Sequence, residues 1–129
     1  ATITTQVAEQ WVLDESLMPT GRAPVPKEWS FSTGMRAAGV ALDNAFLGWS
    51  GVAELFWPED GAILRLSAAE PLGQLVVYTP PERPYFCVEP VSHRVDGFNG
   101  FEAGDSDTGT VVLEPGSTLQ AQVVFSPQP

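Results

Sequence analysis

Leu75-Val76-Val77-Tyr78-Thr79 and Tyr85-Phe86-Cys87-Val88-Glu89 stand on either side of Pro80-Pro81-Glu82-Arg83-Pro84. β-Branched and aromatic side chains fit a pleated, half-buried surface, and apolar runs of this length suit strands better than helices. Proline has no N–H to give to a ladder, so the proline-rich middle reads as a reversal between two apolar strands. Both strands are predicted to be central. Pro90 is expected to end the second one, leaving Glu89 at the strand mouth. A residue before proline is pushed towards extended backbone, which keeps the Glu89 side chain perpendicular to the sheet. Such a carboxylate either ends a strand in solvent or is held there for chemistry, because carboxylates are seldom buried unless paired.

Working outward, residues 52–57 and 62–66 flank Pro58-Glu59-Asp60-Gly61. The Asp-Gly pair supplies the positive backbone angles of a tight reversal, the strongest hairpin signal in the chain. Ile3, Thr5 and Val7 alternate with polar neighbours, a second strand is predicted over residues 10–13, and a loop begins at Asp14-Glu15-Ser16. The proline-rich segment 19–26 is expected to be an irregular loop wrapping the sheet edge. A third strand pair is predicted over 110–113 and 118–125 around Glu114-Pro115-Gly116-Ser117, with Pro127-Gln128-Pro129 fraying. No segment carries a convincing helical period. Short strands separated by turn signals predict an all-β, antiparallel β-sandwich, and no repeat or linker divides residues 1–129 into more than one domain.

With 43% hydrophobic residues among 129, a core can form. Sixteen acidic against six basic side chains leave a net charge of −10. Nucleic acid and anionic membranes are excluded as partners by such a field, whereas neutral sugars are compatible with it. The scarcity of clustered arginines argues against phosphosugars. Cys87 is the one cysteine, so no internal disulfide forms, and its apolar neighbours predict a buried thiol rather than a nucleophile. No apolar run is long enough to span a bilayer and no secretory signal is visible, which makes cytoplasmic the default expectation. The chain opens on a strand-like alternation without an initiator methionine, and is expected to begin inside a longer protein.

Five blocks now form an ordered set: Pro19-Thr20-Gly21, Leu42-Asp43-Asn44-Ala45-Phe46, Leu75-Val76-Val77-Tyr78-Thr79-Pro80, Cys87-Val88-Glu89-Pro90 and Leu113-Glu114-Pro115-Gly116. This set resembles the C-terminal part of the aldose 1-epimerases, the galactose mutarotases. The resemblance implies part of a galactose mutarotase-like supersandwich, and a cofactor-free, metal-free interconversion of the α and β anomers of a free aldose such as galactose or glucose. In that family a glutamate takes the proton of the anomeric hydroxyl while a histidine protonates the ring oxygen. Glu89 matches the glutamate. Asp43 matches an aspartate that holds sugar hydroxyls, although a loop-capping role also suits it.

The family's acid histidine and a second sugar-binding histidine belong to sequence preceding Ala1, and nothing here matches either. General acid or base assistance is worth ~10²–10⁴ in rate, so this chain alone is expected to be impaired. His93 follows Glu89 by four residues, about 13 Å if the strand continued. It is kept as a weak sugar contact beside its plainer reading as a surface histidine. Trp49, in a glycine-flanked loop after Asp43, fits sugar stacking and core packing equally; Trp11, Trp29 and Trp57 read as packing. Two functional classes stand: an epimerase portion, completed by self-association or by a complementary N-terminal half, and a non-catalytic carbohydrate-binding sandwich. A structural sandwich without a sugar site ranks last.

Overall fold

A computed structural model describes residues 1–128. Among the described residues ten strands form: β1 (Thr2–Thr5), β2 (Glu9–Leu13), β3 (Pro19–Pro24), β4 (Met35–Arg36), β5 (Leu42–Leu47), β6 (Val52–Trp57), β7 (Ala62–Ala68), β8 (Gln74–Thr79), β9 (Cys87–Val91) and β10 (Val123–Gln128). They make two five-stranded sheets, the first in the order β10-β7-β6-β1-β4 and the second β3-β2-β5-β8-β9. Every described pairing is antiparallel. The predicted antiparallel sandwich is therefore what the chain forms.

Strand alternation supplies the core. The first sheet contributes Ile3, Ala53, Leu55 and Leu66, and the second Leu42, Phe46, Leu75 and Val77, all buried. Phe46 meets the edges of two rings held by 3₁₀ turns, Trp29 at 6.0 Å and Phe31 at 5.0 Å between centroids. Edge-to-face contact suits the aromatic quadrupole, and these rings plug one part of the space between the sheets. In the β6–β7 hairpin Trp57 opposes Ala62, and Gly61 takes the expected positive φ of 65°.

Several local expectations are corrected. Residues 19–24 are not irregular but form edge strand β3 against β2, with a register shift at Val12/Leu13. Its prolines lie at the two ends of an edge strand, where a missing N–H is tolerated. Strand β8 is central, but β9 is an edge strand. Pro90 does not end β9: it opposes Leu75, and Val91 continues opposite Gln74. The edge position explains this, because a proline whose N side faces away from β8 breaks no ladder bond. Residues 110–122 hold no strand, and the C-terminal strand β10 pairs with β7 through Pro127 and Gln128 rather than fraying there. Pro129 lies outside the described residues. A six-residue helix α1 (Gly97–Glu102) also forms, too short for its 3.6-residue period to show in sequence.

Candidate functional site

The register of the second sheet places the predicted site residues. Asp43 opposes Tyr78, which opposes Cys87; Ala45 opposes Val76, which opposes Glu89. Because side chains alternate, Asp43, Tyr78, Cys87 and Glu89 share one face. The other face carries Phe46, Asn44, Leu75, Val77 and Val88 towards the core. Asp43 and Glu89 are both exposed. Two strand spacings and two residues of rise put their Cα atoms about 12 Å apart. Glu89 sits in mid-strand, one pairing before the Pro90–Leu75 pair, and not at a strand mouth. The sequence assigns Tyr78 no site role, although it stands in one of the blocks that carry the resemblance; register brings it into this row.

Cys87 is half-buried. Burial pushes its thiol up from the ordinary range, and the charge and hydrogen bond of the Glu89 carboxylate push it further the same way. The thiol is therefore protonated at neutral pH. It stands on the same face of the same strand as Glu89, two residues away.

Asn44, beside Asp43, turns inward. Its amide nitrogen donates to Gln10 Oε1 at 2.9 Å, and its Oδ1 accepts from the Ala45 N–H at 2.8 Å. Trp49 is only 8% exposed; its indole N–H donates to Thr5 Oγ1 at 2.9 Å and to the Val52 carbonyl at 3.3 Å. The structure thus places Trp49 in the core, past the far end of β5 from Asp43, with its rings used for packing. His93 lies beyond the end of β9, exposed, with Nδ1 2.9 Å from Ser92 Oγ and its ring stacked on Phe98 at 5.3 Å.

Over the site face folds the segment 92–110. Arg94, 8% exposed, lies across the Trp11 ring at 5.0 Å and donates to Asp105 at 2.8 Å and to the Val95 carbonyl at 3.1 Å. Trp11 is buried and donates its indole N–H to Gln74 Oε1 at 3.0 Å. Arg94 thus covers the Trp11 ring on β2, and Trp11 in turn is tied to Gln74 on β8. Arg94 and Gln74 carry no sequence pattern that would have singled them out.

No family model matches the chain. Over 98% of its length the chain superposes, with a TM-score of 0.79 and 20% identity, on the crystal structure of an Escherichia coli K12 protein provisionally assigned as an aldose 1-epimerase. The fold is an aldose epimerase-like β-sandwich. In sequence, the chain is 24% identical over 129 aligned positions, 89% of its length, to the uncharacterized protein YphB of Escherichia coli (strain K12). It covers 45% of the solved structure and 39% of YphB, so the epimerase-like sandwich described here spans less than half the length of either. Among its described residues, no helix is long and apolar enough to cross a membrane, and no group of three His, Cys, Asp or Glu side chains is placed to hold a metal ion.

Proposed function

We propose that this chain forms the C-terminal portion of an aldose 1-epimerase-like enzyme, a single domain part that interconverts the α and β anomers of a free aldose. One observation carries the reading: Glu89 and Asp43 share an exposed face of the second sheet through the Asp43–Tyr78–Cys87 and Ala45–Val76–Glu89 registers. The epimerase-like fold supports it. In this reading Glu89 removes the proton from the anomeric hydroxyl, the C1–O5 bond breaks as a separate acid protonates the ring oxygen, and rotation about C1–C2 precedes reclosure. Asp43 accepts hydrogen bonds from sugar hydroxyls. No cofactor enters the step.

The acid comes from outside these 129 residues, supplied by the remainder of a longer protein or by an associated chain. His93, the one histidine of the sequence, already engages Ser92 and Phe98, which favours a second reading for the chain by itself: a sugar-binding sandwich without turnover. Anomer exchange on fresh α-galactose and α-glucose, followed by polarimetry or NMR on this chain and on the full-length protein, separates the two. The full-length protein is expected to exchange anomers, and Glu89→Gln to slow it ~10²–10⁴-fold while sugar still binds. Absence of exchange in the full-length protein sinks the enzyme reading; undiminished exchange in Glu89→Gln assigns the base elsewhere.

A further inference from the structure

Gln74 is 7% exposed, yet among the described residues only one end of its amide is used. The Trp11 indole N–H is a donor and never an acceptor, so the atom it meets at 3.0 Å is the Gln74 oxygen, and the amide nitrogen is turned away. That nitrogen has no hydrogen-bond partner among the described residues, and it is not sealed from solvent as Arg94 Nε is. Gln74 is among the residues that line a cleft of about 540 Å³.

Glu9, Glu70 and Asp107 bring carboxylates to this cleft, and Leu47 and Pro71 bring apolar surface. Arg22, the one basic residue of the lining, is spent on Asp107 at 3.0 Å and lies 3.9 Å from Glu9. Three carboxylates against one guanidinium leave the cleft net negative, which repels phosphorylated or acidic ligands. The carboxylates are not gathered as a metal site would require. They line the cleft as acceptors together with the Gln74 amide donor and the apolar Leu47 and Pro71, within a volume suited to a small molecule. A ligand with several hydroxyl donors, one acceptor and an apolar C–H face meets all of these groups.

We propose that this cleft is a binding site for a neutral pyranose, with the Gln74 amide donating to a ring hydroxyl oxygen and Glu70 and Glu9 accepting from neighbouring hydroxyls. Glu89 and Asp43 do not line it, so binding here stands apart from anomer exchange. Methyl α-D-glucopyranoside and methyl α-D-galactopyranoside are the probes, because a locked anomeric centre cannot be turned over. In ¹⁵N-labelled protein, titration is expected to shift the Gln74 side-chain amide and the Gly48 and Gly73 backbone amides saturably.

Gln74→Glu keeps an oxygen for Trp11 and removes the donor; it is expected to weaken binding roughly two- to tenfold, the value of one net hydrogen bond. Because that change touches a buried contact, exposed Glu70→Ala serves as the second variant and is expected to weaken binding by a similar factor. Glucose 6-phosphate is expected to bind more weakly than either glycoside. No saturable shift with either glycoside, shifts unaltered in both variants, or tighter binding of glucose 6-phosphate each overturns the proposal.

Discussion

The Arg94 guanidinium lies 5.0 Å from the centre of the Trp11 ring, and by this contact one side chain fastens the 92–110 segment to the second sheet. Its bond to Asp105 ties the far end of the same segment, and the Arg94 N–H donates to the Thr108 carbonyl at 3.0 Å. The Asp105 side of that pair is partly exposed and so adds little by itself. Arg94→Met should therefore lower stability by about 1–3 kcal/mol, mostly from the lost cation–π contact and charged hydrogen bonds. Urea denaturation measures it, and a loss below about 0.5 kcal/mol, the size of an ordinary surface substitution, would show that the segment is held elsewhere.

Gly100 on α1 packs against the same guanidinium. A Cβ there would overlap Arg94 Nη2 and press on the Thr108 side chain. Gly100→Ala should destabilise the wild-type protein and do so less in Arg94→Met, with a coupling of about 0.5–3 kcal/mol in a double-mutant cycle. Additive costs would mean that Thr108, not Arg94, is the neighbour that suffers.

Asp105 titrates below the ordinary aspartate range, held down first by the Asp107 backbone N–H and then by its hydrogen bond to Arg94. A carboxyl depressed in the folded state contributes stability that is complete above the unfolded value of about 3.9 and is lost as pH falls through the lower folded value. The 92–110 segment should loosen first in that acid window. Hydrogen exchange of the Arg94 and Asp107 amides between pH 5 and pH 3 tests it, and Asp105→Asn should flatten the dependence. A pH profile unchanged by Asp105→Asn would assign the acid sensitivity to other carboxylates.

Cys87 should alkylate slowly. Burial and the neighbouring Glu89 both hold the thiol protonated, and the thiolate is the nucleophile. At pH 8 iodoacetamide should react more slowly with Cys87 than with free cysteine, and Glu89→Gln should raise the rate by removing the adjacent charge. An equal rate in both proteins would separate the two side chains in solution and undo the shared-face geometry.

Phe46 is fully buried between the sheets against Trp29 and Phe31. Phe46→Ala should cost about 3–5 kcal/mol, a large share of the roughly 5–15 kcal/mol that a domain of this kind possesses. Thermal or urea unfolding reports it. A cost near 1 kcal/mol would mean that the rings of the 3₁₀ turns collapse into the space.

How much of this was legible beforehand follows from which signals are local. The 52–57 and 62–66 hairpin was readable because Asp60-Gly61 needs only its own backbone angles. Strand β8 was readable from its β-branched run. Segment 19–24 was misread because its prolines and glycine describe a loop as well as they describe an edge strand, and only pairing with β2 decides between them. Pro90 was misread for the same reason: a proline stops a central strand and is tolerated at an edge, and sheet order is not a local property. The 110–113 and 118–122 segments have strand-like composition, yet among the described residues they find no sheet to join.

For the site, the sequence by itself determined the chemistry available: a carboxylate before Pro90, an aspartate in Leu42-Asp43-Asn44, a thiol at Cys87 and a single histidine. Alternation along β5 and β9 even set which neighbours share a face within each strand. Tertiary structure alone decided which faces meet. Register aligned Asp43 with Tyr78 and Cys87, and β9 took the edge rather than the centre. The core took Trp49 from the candidates, and Arg94, Trp11 and Gln74 came together from positions up to 83 residues apart. The physical reason is that residue type and spacing encode short-range backbone preference, whereas register and burial emerge from the packing of both sheets at once.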